Sequence, residues 1–124
     1  MNTRINPYDQ IPYQSHPYSA SHPGHMAVIA TLFGLSPTAV EQCRVLEIGC
    51  AGAENLLPLA IAFPNAQFVG LDYSQVQLSA AKATQKELQL NNIEFHCENL
   101  SKVDPKTLGQ FDYIIAHGIY SWLP

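Results

Sequence analysis

Apolar and polar positions alternate in blocks from Arg44 onward. Four short apolar runs predict strands, at residues 45–48, 68–71, 93–97 and 111–116. Helical patterns lie between the first three runs, at residues 56–63 and 74–90. Residues 101–109 are a weaker helical or looped segment, broken by Pro105. Because strands that alternate with helices are joined by parallel crossovers, the pattern predicts an α/β fold with a parallel sheet.

A further helix is predicted before the first strand. Ser21 is a candidate N-cap, Pro23 fits the first turn, where its missing N–H costs nothing, and Gly34 ends the helix. An apolar face toward the core is expected from Met26, Ile29, Ala30, Leu32 and Phe33.

The longest helix carries its own start and stop signals. Ser74 and Gln77 are expected to form a capping box at its beginning. Asn91 and Asn92 are expected to stop it before the third strand.

Residues 1–20 carry a Pro-Tyr rhythm with neither a helical nor an alternating period. We expect an extended arm, residues 1–20, that lies on the surface of a domain at residues 21–124 and uses its tyrosines as anchors. A disordered tail is the alternative.

The composition limits the class of protein. The chain has 124 residues, 47% of them apolar and 13% charged, with a net charge of -4, which indicates a single ordinary globular domain. The six Lys and Arg form no basic stripe, so no nucleic-acid partner is expected. No apolar run reaches the length of a membrane span and no secretory signal is visible. Three cysteines without C-x-x-C spacing indicate reduced thiols and a cytoplasmic protein.

The first strand runs into a turn made only of small residues, at residues 49–53. Such a turn lets a ligand approach the main chain, and the following helix directs unpaired N–H groups at it. The G-x-G-x-x-G fingerprint of dinucleotide sites is absent, and Glu47 precedes the turn. A carboxylate in this place disfavours a pyrophosphate and favours a cationic ligand.

Polar residues also follow the next two strands. Asp72 ends the second strand, where an acid can accept hydrogen bonds from both ribose hydroxyls; the alternative is an acid that stabilises the following helix through its dipole. Asn99 and Leu100 follow the third strand, where an adenine edge can be recognised.

Together these blocks resemble a known family. An E-x-G-x-A/G-x-G turn, an acid after strand two and a polar residue after strand three resemble class I S-adenosylmethionine-dependent methyltransferases. The blocks "CRVLEIGCA" and "FDYIIAHGIYSWLP", with the Pro-Tyr segment, resemble one bacterial group whose longer members often carry a methyltransferase regulatory domain. The resemblance implies a Rossmann-like parallel sheet whose first four strands are ordered 3-2-1-4, and S-adenosylmethionine as cofactor.

The resemblance also implies roles for individual residues. Glu47 and the backbone of Gly49, Cys50 and Ala51 would line the methionine end of the cofactor. His117, after strand four, would lie beneath the sulfonium, where the methyl acceptor enters.

The nucleoside would be held by the loops after strands two and three. Asp72 would bind the ribose and Tyr73 would pack on the adenine, while Asn99 and Leu100 would face the adenine edge and ring. Asn99 replaces the usual acid, and we expect its carbonyl to accept from the adenine amino group. The family turn usually has Gly at the Ala53 position, and we expect Ala to oppose a positive φ there.

The catalytic residues are unknown. His117 can serve as a proton acceptor or only shape the pocket. His16, His22 and His25 lack the spacing of metal ligands and have no cysteine nearby, so no metal site is expected.

The predicted function is methyl transfer to an unknown acceptor, with this chain supplying the cofactor-binding half. A non-catalytic module that binds S-adenosylmethionine or its demethylated product is the alternative, and an NAD-dependent oxidoreductase is disfavoured by the turn. The chain stops eight residues after the last predicted strand. We therefore expect a domain truncated after strand four, or a dimer or partner chain that covers the exposed edge of that strand.

Overall fold

The computed structural model describes residues 6–11 and 14–119. It contains one four-stranded parallel sheet with the order β3-β2-β1-β4, as predicted. The strands are β1 (Arg44–Ile48), β2 (Gln67–Asp72), β3 (Ile93–Cys97) and β4 (Tyr113–Ile115). The fourth strand is three residues long, shorter than its apolar run predicts, because only these residues pair with β1.

Within the described residues, five α-helices connect or flank these strands: α1 (Pro7–Gln10), α2 (Pro23–Leu32), α3 (Leu56–Ala62), α4 (Gln75–Glu87) and α5 (Pro105–Leu108). Short 3₁₀ helices lie at Ser19–Ser21, Val40–Gln42 and Leu100–Lys102. Pro105 begins α5 rather than breaking a helix, because Asp104 accepts a hydrogen bond from the Lys106 N–H and so caps the turn.

The sheet is apolar on both faces because its side chains alternate between two separate clusters. Val45 and Phe68 are paired in register and belong to the larger cluster, which α3 and α4 cover. Leu46 and Val69, also paired, belong to the smaller cluster with Leu108 of α5. The layers therefore leave the carboxyl ends of the strands as the edge where the connecting loops meet.

Helix α2 differs from its prediction at its N-cap and in its exposed second half, whereas Gly34 ends it as predicted, with φ of 84°. His22, not Ser21, is the N-cap, and its Nδ1 accepts from the Gly24 N–H at 3.0 Å. The predicted core-facing stripe is wrong in its second half, since Leu32 is 80% and Phe33 is 83% exposed. The helix packs on the core only through its first turns, with Pro23 buried and Met26 and Ala27 partly buried.

Helix α4 begins as predicted but ends differently. The Ser74 hydroxyl accepts from the Gln77 N–H, whereas the Ser74 N–H donates to Asp72, so the second half of the capping box is replaced by an aspartate. The helix stops at a Schellman motif in which Gln89 is left-handed, with φ of 54°. Asn92 does not stop the helix: it is buried and its amide donates to backbone carbonyls at the end of α3.

The described part of the arm contacts the domain, but it is not simply extended. Its residues 7–10 form α1, and this part of the arm makes polar contacts with the domain. Asn6 Nδ2 donates to the Tyr73 carbonyl, and the Asp9 carboxylate accepts from Ser74 Oγ at 2.5 Å. Tyr18 is one of the predicted tyrosine anchors and does contact the domain, whereas Tyr13 lies outside the described residues.

The predicted end of the domain and its partner stay predictions. In the described ranges β4 pairs with β1 on one side, and Ile114 is 58% exposed.

Candidate functional site

The turn after β1 is held in a conformation that L-residues rarely adopt. Gly49, Ala51 and Ala53 have φ of 74°, 50° and 62°. The expectation that Ala53 avoids a positive φ is therefore wrong. Ala51 and Ala53 both adopt a positive φ, at a cost of about 1–2 kcal/mol each. The N–H groups of Gly49 and Cys50 both donate to the Leu71 carbonyl, at 2.7 and 3.1 Å, which ties the turn to the end of β2.

The loop after β4 lies directly on this turn. The side chain of Ile119 packs against Gly49 so closely that a Cβ at position 49 would collide with it. Glycine is therefore required at position 49 by this close approach, and its positive φ of 74° favours the same residue. Ile119 was not predicted as a site residue, since nothing in its local sequence marks it.

Glu47 is buried beneath the turn, with 7% of its surface exposed. Its Oε1 accepts from Asn55 Nδ2 at 3.2 Å, whereas its buried Oε2 has no protein hydrogen-bond partner among the described residues. Burial raises the pKa of this carboxyl from 4.5 to about 7; the bond from Asn55 opposes that change, while Glu54 and Asp72 add to it. Glu47 is thus a buried acid with one oxygen open to a donor or a cation.

Asp72 lies on the same face of the sheet as Glu47. Glu47 is paired with Gly70 in register, and Asp72, two residues further along β2, projects to the same side. Its Oδ2 accepts from the Ala51 N–H and its Oδ1 from the Ser74 N–H, both at 2.8 Å. The alternative role, an acid at the start of α4, is therefore real, but each carboxylate oxygen retains a further lone pair for a ligand.

The residues predicted to contact the adenine, Tyr73, Asn99 and Leu100, differ in how they lie relative to the two carboxylates. Tyr73 is half exposed, and its ring is available on the surface beside Asp72. The side-chain carbonyl oxygen of Asn99, Oδ1, already accepts from the N–H and the hydroxyl of Ser101, at 3.0 and 2.8 Å. Both lone pairs of this oxygen are used within the loop, so the expected adenine contact through it stays a prediction, and the Asn99 amide remains as a donor. Leu100 packs on the smaller apolar cluster, the opposite face of the sheet from Glu47.

His117 is exposed and stacks on Tyr18 of the arm, with ring centroids 3.9 Å apart and an angle of 22° between the planes. The pair joins the arm to the loop after β4. Asn55 is the second contact that the predictions missed: its Oδ1 accepts from the Tyr18 N–H at 2.9 Å. A polar residue just before an apolar helix was the available signal, but it does not reveal such long-range partners.

Within residues 6–11 and 14–119, no three His, Cys, Asp or Glu side chains come together as metal ligands. Every helix in the same ranges is too short or too polar to span a bilayer.

Several known proteins are similar to this chain. Residues 39–122 match the family described as "Methyltransferase domain". An uncharacterised protein of Rickettsia prowazekii is 48% identical over 96% of this chain, and the match spans 21% of that protein. Malonyl-[acyl-carrier protein] O-methyltransferase of Bacillus anthracis is 27% identical over 69% of this chain and 30% of that enzyme.

A solved structure has the same architecture. PKMT2 from Rickettsia typhi in complex with AdoHcy superposes with a TM-score of 0.85 and 37% identity, over 91% of this chain and 22% of that one. The chain thus spans about a fifth to a third of the length of these relatives. With the family match, the strand order and the acidic small-residue turn all in agreement, the chain belongs to the methyltransferase domain family and has the class I S-adenosylmethionine-dependent fold.

Proposed function

We propose that this chain binds S-adenosylmethionine at the carboxyl ends of β1 and β2 and supplies the cofactor-binding half of a methyl-transfer enzyme. The methionine end of the cofactor would lie over Gly49, Cys50 and Ala51, with Glu47 beneath it. Asp72 would bind the ribose, Tyr73 would pack on the adenine, and the remaining predicted contacts are Asn99, Leu100 and His117. The methyl acceptor stays unknown.

One observation carries the proposal: a buried carboxylate with an open oxygen shares a sheet face and an edge with a second carboxylate. An unpaired buried carboxylate is unfavourable, and its cost falls when a positive group comes close. S-adenosylmethionine carries a sulfonium and an ammonium near its methionine end, and it has no phosphate that Glu47 would repel. The chemistry of the site therefore fits this cofactor better than it fits a dinucleotide.

The bound cofactor supplies a methyl group that is already reactive, so the protein has little covalent work to do. Its task is to hold the methyl carbon in line with the acceptor and to exclude water. The strained turn suits this task, because it sets the backbone in the binding conformation before the cofactor arrives.

The cofactor assignment is tested by titration calorimetry with S-adenosylmethionine, S-adenosylhomocysteine and NAD. We expect both adenosyl ligands to bind and NAD not to bind. Replacement of Asp72 by Ala should weaken binding by about 1–3 kcal/mol, as expected for lost hydrogen bonds to an ionised group. Asp104→Ala is the matched control, because Asp104 also caps a helix but lies in the loop before α5. Equal affinities in the Asp72→Ala variant and the wild type would refute the ribose contact.

A transfer assay separates an enzyme from a binding module. The whole protein of which such a domain forms part would be supplied with S-adenosylmethionine labelled in its methyl group and with candidate acceptors. Transfer supports the enzyme, whereas binding without transfer to any acceptor supports the non-catalytic module.

We also propose that the chain works in the reducing cytoplasm. Its three cysteines, Cys43, Cys50 and Cys97, are all free thiols, as is usual in that compartment. Thiol counting on protein that was isolated without reductant and then denatured should give three; a lower count would contradict this assignment.

A further inference from the structure

A buried polar cluster connects the arm to the candidate cofactor site. Its centre is Asn55, which is 8% exposed and precedes α3. Asn55 Oδ1 accepts from the Tyr18 N–H, and Nδ2 donates to Ser21 Oγ at 3.1 Å and to Glu47 Oε1 at 3.2 Å. The orientation of the amide is fixed by chemistry, since a backbone N–H needs an acceptor and a carboxylate needs a donor. The side-chain amide of Asn55 therefore donates one proton to Ser21, next to the arm, and the other to the buried carboxyl group of Glu47.

Ser21 completes the cluster. Its hydroxyl donates to the Tyr18 carbonyl at 2.8 Å while it accepts from Asn55. Tyr18 is thus held through its N–H, its carbonyl and its ring, which stacks on His117. Ser21, Glu47 and Asn55 are each at least nine-tenths buried, so water does not replace these bonds without some opening of the cluster.

The arm has a second attachment on the other side of the same edge. Asp9 accepts from the hydroxyl of Ser74 and from the Val76 N–H at the start of α4, and Asn6 donates to the Tyr73 carbonyl. One attachment therefore lies beside the loop after β2 and the other beside the turns after β1 and β4.

We propose that the described residues of the arm, 6–11 and 14–20, form a strap along the sheet edge that carries the cofactor site. We also propose that Asn55 is a positioning residue, which couples the orientation of Glu47 to the attachment of the strap. The inference rests on the proposed function of that site. A strap attached at both sides would bind more tightly when the cofactor is present, and the cofactor would bind more tightly when the strap is attached, by the same factor. It would also exclude water from the transferring methyl group.

The first test needs no cofactor. Nuclear magnetic resonance would follow the Tyr18 amide exchange and the titration of the Glu47 carboxyl carbon in the wild type, in Asn55→Ala and in Asn65→Ala. Asn65 is an exposed asparagine after α3 and is the matched control. In Asn55→Ala we expect about tenfold faster exchange at Tyr18, as for the loss of one buried hydrogen bond. We also expect the Glu47 titration to move to higher pH, because the bond that opposes the effects of burial, Glu54 and Asp72 is lost.

A second variant guards against misfolding of Asn55→Ala. Ser21→Ala breaks the link to the Tyr18 carbonyl but keeps the bond between Asn55 and Glu47. We expect faster exchange at Tyr18 with a smaller effect on the Glu47 titration. If Asn55 acts on Glu47 independently of the strap, Ser21→Ala will speed the exchange at Tyr18 but leave the Glu47 titration unchanged, and that result would overturn the coupling.

The cofactor then tests reciprocity. S-adenosylmethionine should slow the Tyr18 amide exchange in the wild type, and Asn55→Ala should bind it about tenfold more weakly. Unchanged exchange and unchanged Glu47 titration in Asn55→Ala would overturn the strap, even if the cofactor binds. Absence of binding in the wild type would instead refute the proposed function, whatever the arm does, so the two failures are distinguishable.

Discussion

Replacement of Glu47 by Gln should stabilise the ligand-free protein at neutral pH while it weakens cofactor binding. In the folded protein burial raises the pKa of Glu47 from 4.5 to about 7, so its carboxyl is protonated more readily there than in the unfolded chain. The stability that this group contributes is present below pH 4.5 and is lost as the pH rises through about 7. A glutamine side chain stays neutral and escapes that loss.

The magnitude follows from the two pKa values. At 1.36 kcal/mol for each unit, the interval from 4.5 to about 7 corresponds to about 3 kcal/mol. The side-chain amide introduced at position 47 would keep an acceptor for Asn55. The variant and the wild type should therefore differ little in the part of the unfolding free energy that does not depend on pH. The advantage of Glu47→Gln should therefore grow by about 3 kcal/mol between pH 4.5 and pH 7 and stay level above that.

Urea unfolding at half-unit intervals from pH 4.5 to pH 8.5 measures this advantage. Glu87→Gln, on the exposed end of α4, is the matched control for loss of a carboxylate. A difference between Glu47→Gln and the wild type that does not change with pH would refute the reasoning about burial. A large advantage with undiminished affinity for S-adenosylmethionine would instead remove Glu47 from the proposed site.

Three further substitutions test the fold and the turn. Gln89, the residue that follows the C-cap of α4, is exposed and left-handed, and Gln89→Gly removes the strain of that conformation. Urea unfolding should show a free energy of unfolding about 1 kcal/mol higher than in the wild type. A loss of stability would contradict the strain at this position. Gly70→Ala should lower the free energy of unfolding by about 1–3 kcal/mol, since a new Cβ would lie 2.7 Å from the Cys50 sulfur and 2.8 Å from the Phe95 ring; unchanged stability would show that this packing relaxes. Ala53 is fully buried, and Ala53→Gly should change the free energy of unfolding by less than about 1 kcal/mol, because the relief of its positive φ offsets the loss of a buried methyl group. A loss of several kcal/mol would show that the packing of this methyl group dominates.

The strands were predictable because a buried parallel sheet leaves a local signal, whereas their order followed from the family resemblance. Residues such as Val45, Leu46 and Phe68 occur in short apolar runs between helical segments, and β-strands buried on both faces require such runs. Helix ends were less predictable. Ser74 was identified as a cap from its neighbours, whereas the left-handed Gln89 carries no residue type that favours its conformation.

In the candidate site, too, some residues were predictable from the sequence and others were not. Glu47 and Asp72 were identified because each ends or nearly ends an apolar strand, and parallel strands bring their carboxyl ends to one edge. The occupied carbonyl of Asn99 was missed because it depends on the rotamer that the loop selects. The exposed second half of α2 was missed because an apolar stripe does not reveal how much of a helix reaches the core.

The α/β class, the four strands and the acidic small-residue turn follow from the linear sequence, since each depends on the chemistry of a few adjacent residues. The three-dimensional packing was needed to show that Asn55 joins Tyr18 to Glu47 and that Ile119 lies on Gly49. Such contacts join residues that are far apart in the chain, and their geometry depends on how the loops at the edge of the sheet pack. Local patterns carry no information about that packing.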